Sequence, residues 1–150
     1  MASETSLPAG YSLREGADAA AHAFLTSSYW ASGITHDTVA RSLSASLAVS
    51  IWQVGAQVGG QVGGQVAMAR VISDYATFAY VNDVYVLDAH RGHGLGKAMI
   101  GWLRAHPRLQ GLARWALYTK DAQGLYAQFG WREYPYPDRM MIIDPVIFPE

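Results

Sequence analysis

The chain has 150 residues with a formal charge of -1, no cysteine, 51% hydrophobic and 15% charged residues. That length suits one domain able to bury a core, and the composition is that of a globular chain, not a disordered one. With no Cys, disulfide frameworks, thiolate metal sites and Cys nucleophiles are excluded, and without a Lys/Arg cluster neither nucleic acid nor an anionic membrane is expected as a partner.

Residues 1–8, with no basic and apolar leader pattern, are expected to be loosely held, and the protein is expected to be cytoplasmic. A short strand is expected near Tyr11–Arg14, followed by an alanine-rich helix over Ala17–Ser27. Asp37–Leu47 places Val39, Leu43 and Leu47 on one helical face, with Thr35 or Asp37 as cap. Strands are expected at Leu47–Trp52 and at Gln65–Ser73, where Val66, Met68, Arg70 and Ile72 alternate with Ala67, Ala69 and Val71.

Between these strands lies "QVGAQVGGQVGGQV", a repeat of period four. In extended chain its valines share one face and its glutamines the other, so register is weakly specified. It holds no Lys, Arg, Ser or Thr and no helix follows it, which argues against a phosphate cradle. Residues 55–64 are therefore expected to form an expanded Gly-rich hairpin loop; self-association through the repeat is the rival.

"TFAYVNDVYVL" (Thr77–Leu87) is apolar on both faces, as a doubly covered strand should be, and Asn82 and Asp83 interrupt it. Leu95, Ala98, Met99, Trp102 and Leu103 then define an amphipathic helix that stops at His106, before Pro107. "RWALYT" (Arg114–Thr119) predicts a strand, with Asp121 capping a helix that carries Leu125, Tyr126 and Phe129 and ends at Gly130. "WREY" and "RMMIID" predict short terminal strands.

The loop "RGHGLG" (Arg91–Gly96) joins the central strand to the clearest helix. Its glycines permit close backbone approach, and the first helical N–H groups lack intrahelical partners, so an anion such as pyrophosphate suits it. Neither a Walker loop nor a GxGxxG fingerprint fits: Gly96-Lys97 is followed by Ala98, and the third glycine would fall at Lys97 or Met99. The pattern Q/R-x-x-G-x-G/A does fit.

On that loop, and on the order of "VYVLDAHRGHGLG" and "LYTKDAQGLYAQFGW", the chain resembles the GNAT superfamily of N-acetyltransferases. The resemblance implies an α/β fold with a mixed, mostly antiparallel central sheet flanked by about four helices, in a single domain over 1–150. It implies acetyl-CoA as co-substrate and direct attack by a primary amine of a small molecule or peptide. Arg91, Gly92, His93, Gly94, Leu95, Gly96 and Lys97 would hold the pyrophosphate, and Val86 and Leu87 would pair with the pantetheine arm. Tyr126 would protonate the leaving thiolate. Asp83, a carboxylate in an apolar strand, is the candidate base. Tyr29 and Trp30, from "TSSYWASGITHD", and Thr119 would line the acceptor pocket, the aromatics favouring an apolar or aromatic amine. No metal is expected: Asp88, His90 and His93 lie in a loop with no further ligand motif, and no GxSxG elbow exists. A homodimer is left open, and the alternative to an enzyme is a non-catalytic acyl-CoA-binding regulatory module.

Overall fold

The structure, a computed structural model, describes residues 7–54, 57–58, 61–62 and 64–149. Five strands form the main sheet: β1 (Tyr11–Glu15), β2 (Leu47–Gln53), β5 (Gln65–Ser73), β6 (Phe78–Val86) and β7 (Arg114–Leu117), in the order β1-β2-β5-β6-β7. The first four pair antiparallel, whereas β7 lies parallel to β6. Helix α3 (Leu95–Ala105) makes the crossover between β6 and β7 that a parallel pair requires. It packs Leu95, Met99, Ile100 and Leu103 onto Val49, Ile51, Ala69, Val71 and Val81. The other face of the sheet is covered by α1 (His22–Leu25) and α2 (His36–Ser44), where Leu25 and Val39 meet Met68 and Tyr85.

The alternation read in β5 therefore has a structural meaning: Ala67, Ala69 and Val71 face α3, while Met68 faces the α1–α2 layer. Strand β6 keeps one phase only as far as its polar interruption. Ala79 and Val81 face α3, yet beyond Asp83 it is Val84 and Val86 that do so, and Tyr85 faces the opposite layer. The cause is a bulge: Arg70 pairs with Asn82 but Met68 pairs with Tyr85, which leaves two residues of β6 opposite Ala69. Asp83 absorbs the extra residue with a left-handed φ of 54°.

Several elements differ from their sequence expectation. The helix predicted over 17–27 is a 3-10 turn at Ala19–Ala21, capped by Asp18, and then the single turn α1. The hydroxyls of Ser27 and Ser28 donate back to the carbonyls of Phe24 and Leu25 and compete with helical continuation. Helix α2 is capped by Thr35, whose Oγ1 accepts from the Thr38 amide at 3.2 Å, and it ends before Leu47 so that β2 can begin. Asp121 is not the cap of α4 (Gln123–Ala127): no side chain caps that helix, and in the turn before it Thr119 Oγ1 accepts from the Ala122 amide at 2.9 Å.

The two predicted terminal strands do not form. "WREY" and "RMMIID" carry no sheet pairing; Pro135 and Pro137 interrupt the donor series between them, and Pro137 opens a 3-10 turn. Met141 and Ile143 are left 92% and 99% exposed. Within the 1–8 segment expected to be loose, Leu7 packs against the core, and residues 1–6 lie outside the described residues. Within the repeat, the backbones of β3 (Gln57–Val58) and β4 (Gln61–Val62) pair antiparallel, as a hairpin; the remainder of 55–63 lies outside the described residues. No helix among the described residues is long and apolar enough to cross a membrane.

The β5–β6 turn depends on Asp74, whose carboxylate accepts from the Thr77 hydroxyl and from the amides of Thr77, Ala76 and Phe78. The Thr77 hydroxyl, followed by these amides, holds the carboxyl well below its ordinary range. A depressed folded pKa gives stability present above the unfolded value and lost as pH falls below it. Asp74→Ala should therefore lower the melting temperature at neutral pH, with the difference from wild type shrinking below about pH 3.9.

Candidate active site

Because of the bulge, β6 and β7 cannot stay paired along their whole length. Their parallel ladder runs from Phe78↔Arg114 to Val81↔Leu117 and stops there. Beyond it opens a cleft of about 900 Å³, bounded by the end of β6, the loop before α3, the segment after β7 and the α1–α2 connection.

The floor of the cleft is backbone. Leu87 N–H donates to Val66 O at 2.8 Å, toward β5, so the alternation of the strand turns the main-chain groups of Val86 to the cleft side. Of the two residues predicted to pair with a pantetheine arm, Val86 lines the cleft and Leu87 does not.

Next to this edge stands the N-terminus of α3. Gly94 is its N-cap, with φ of 75°, and no side chain caps the helix; no acidic residue lies in the first turn. The first amides of α3 are thus orphan donors beside a cleft, and the helix dipole adds positive potential there. Arg91, Gly92, Gly94, Leu95, Gly96 and Lys97 all border the cleft, whereas His93 turns to Tyr11, ring centroids 5.9 Å apart. His90 also goes to Tyr11, whose hydroxyl lies 2.8 Å from its Nδ1, while Asp88 pairs with Arg91. His90 and His93 thus share Tyr11 while Asp88 is held by Arg91, and no group of three or more metal-ligating side chains occurs among the described residues.

Helix α4 carries Tyr126 to the opposite wall. It sits close on α3, where a Cβ on Gly101 would come within 3.4 Å of the Phe129 ring. Tyr126 is 6% exposed and lines the cleft; burial first, then Tyr29 and Asp121, pushes its phenol up to about 12. It therefore holds its proton throughout the physiological range, as a hydrogen-bond donor must. Thr119 borders the cleft too, and its hydroxyl oxygen accepts from the Ala122 amide at 2.9 Å.

The α1–α2 connection supplies the outer wall. Tyr29 and Trp30 are 62% and 38% exposed, with their rings edge to face at 5.0 Å. Trp30 Nε1 donates to Asp83 Oδ1 at 2.8 Å. The other oxygen of Asp83 accepts from Arg70 Nε at 2.6 Å, and Arg70 Nη1 reaches Ser46 Oγ at 3.0 Å. Asp83 and Arg70 are 5% and 8% exposed, so this is a buried, hydrogen-bonded ion pair. Its presence also explains how Asp83 tolerates a conformation costing on the order of 1–3 kcal/mol for a residue other than glycine. Arg70 is the site residue that sequence reading missed. Its signal was a lone charge in the buried run "QVAMARVIS", a position that demands a partner.

Comparison with known proteins agrees with this geometry. The family described as Acetyltransferase (GNAT) domain matches residues 50–133, which include the bulge, the α3 loop and Tyr126. A GNAT-family protein of Xanthomonas campestris is similar over 93% of this chain and 95% of its own, with 40% identity and a TM-score of 0.79. A protein of Clostridium acetobutylicum described as a predicted acetyltransferase, whose structure was determined with acetyl-CoA, shares the fold at 14% identity, with a TM-score of 0.60 over 93% of this chain and 99% of its own. A protein of Gibberella zeae named as an acetyltransferase is 38% identical over 79 residues, which span 50% of this chain and 44% of that relative. The chain belongs to the GNAT acetyltransferase family.

Gly94 tests the loop independently of any substrate. No atom lies within 4 Å of where its Cβ would stand, so Gly94→Ala costs only the left-handed backbone. The variant should lose about 1–2 kcal/mol in urea unfolding.

Proposed function

We propose that the protein transfers the acetyl group of acetyl-CoA to a primary amine of a small molecule or peptide, by direct attack in a ternary complex. The observation that carries this reading is the uncapped N-terminus of α3 lying against the open edge of β6 in one cleft. Together they offer amides for a pyrophosphate and a strand edge for an extended amide-bearing arm. A regulatory module that only binds an acyl-CoA would need that half of the cleft alone; Tyr126 and Asp83 on the other walls favour an enzyme.

In this reading Val86 and its neighbours orient the thioester, while the backbone amides of the loop from Arg91 to Gly96 hydrogen-bond the phosphates. The amine nitrogen forms its bond to the acetyl carbon, and the carbon–sulfur bond breaks. Tyr126 donates to the sulfur as negative charge develops there, and its raised pKa keeps the proton available. Asp83 receives the amine's proton, directly or through water: each of its oxygens accepts one hydrogen bond and retains a further lone-pair direction. Tyr29 and Trp30 give the acceptor an aromatic wall.

The first test is thermal melting with acetyl-CoA, using ATP and NAD as controls. Ligand at about 100 times Kd should stabilise by about 2.7 kcal/mol, an increase of several degrees. No shift with acetyl-CoA removes the donor assignment. With an acetylated amine in hand, Tyr126→Phe should lower kcat by about a hundredfold while leaving acetyl-CoA binding intact. The sign of the pH effect follows from the raised phenol pKa: folding retains this proton, so its contribution to stability is complete below about pH 10 and is lost as pH rises toward about 12. The kcat profile of Tyr126→Phe should accordingly be scaled down, not reshaped, below about pH 10.

A further inference from the structure

A second cavity lies behind the first. It is an open groove of about 490 Å³ between the start of α2 and the bulged part of the sheet, with Thr35, Thr38 and the buried Arg70 on its walls. Trp30, Asn82 and Asp83 border both this groove and the active-site cleft. Asn82 and Asp83 belong to the strand. Trp30 comes from the α1–α2 connection, and its indole is the removable part of the partition.

What holds that indole in place is polar and specific. Its contact with Tyr29 involves a ring that is itself 62% exposed, and Phe24 is more distant, at 6.1 Å between centroids. The directional tether is the 2.8 Å bond from Nε1 to Asp83 Oδ1. Asp83 can present that oxygen because Arg70 fixes the other one at 2.6 Å and Ser46 in turn fixes the guanidinium. The carboxylate's direction is thus set from one side of the bulge and read by Trp30 on the other.

We propose that Trp30 is the wall that limits the length of the acceptor, and that Arg70 is the positioning residue that holds this wall through Asp83. The inference rests on the cleft being an amine site and adds which amines fit: short ones end against the indole, and longer ones require the groove beyond it. Arg70 touches neither acceptor nor donor in this arrangement; it acts through the carboxylate.

The test uses the full chain saturated with CoA and titrated by calorimetry with benzylamine, phenethylamine and phenylbutylamine, alongside acetylation assays with acetyl-CoA. Trp30→Ala should raise the affinity ratio of phenylbutylamine to benzylamine by about tenfold, the scale on which a hydrophobic pocket discriminates chain length. Trp30→Phe, which keeps a ring but removes the tether, and Arg70→Gln should each shift the ratio less, in the same direction. Because both cut one chain of contacts, the double variant should shift it no further than either alone, whereas independent effects would add. Should Arg70→Gln fail to fold, Arg70→Lys, which keeps the charge but cannot make both the Asp83 and the Ser46 contacts of the guanidinium, takes its place, while the two Trp30 variants decide the wall. A uniform loss of affinity across the series in Trp30→Ala overturns the proposal, as does absence of binding in both wild type and Trp30→Ala. Amine binding without acetyl transfer counts against the catalytic reading alone and leaves the length effect to be read from affinity.

Discussion

One extra residue in β6 is the constraint on which the cleft depends. By placing Asp83 in the left-handed region, the bulge inverts the in-and-out order of the strand and ends its pairing with β7 at Val81. A continuous ladder would bury the main chain of Val84–Val86 against β7. The interrupted ladder gives an edge whose hydrogen-bonding groups face a cleft. The strain is local, and the Arg70–Asp83 pair is positioned to offset it. A buried pair gains little over apolar packing but is costly to break from one side, so the bulge is better described as fixed by the pair than as stabilised by it.

The cleft is built from both main chain and side chains. At the α3 end nearly everything is backbone: the β6 edge, the left-handed glycine at 94 and the uncapped amides of α3. Its other walls are side chains drawn from distant elements, namely Trp30 from the α1–α2 connection, Asp83 from β6 and Tyr126 from α4, with Arg70 of β5 paired to Asp83. Helix α3 connects the halves, since its apolar face grips the sheet while its near contact with Phe129 sets the height of Tyr126 above the cleft.

Much of this was legible along the chain because it is local. Alternation in "QVAMARVIS" marked β5 from Gln65 to Ser73, the period of Leu95, Met99 and Leu103 marked α3, and Thr35 capped α2 as its residue type suggests. The glycines of "RGHGLG" announced a backbone site. Failures arose where local preference met competition. Ser27 and Ser28 back-bond and shorten the alanine-rich helix, Thr119 holds the turn before α4 and the helix begins with no side-chain cap, and apolar composition alone did not bring "RMMIID" into the sheet.

By itself, then, the sequence determined the periodic elements, the glycine loop before α3 and the polar break in β6, since each is a matter of spacing within a few residues. Only the tertiary structure decided what that break does. Asp83 meets Arg70 across 13 residues and Trp30 across 53, contacts that exist only once the bulged register of β5 against β6 is chosen and the α1–α2 connection is laid over it. Register is a property of two strands together, and so are the direction of the carboxylate, the partition at Trp30 and the cleft they enclose.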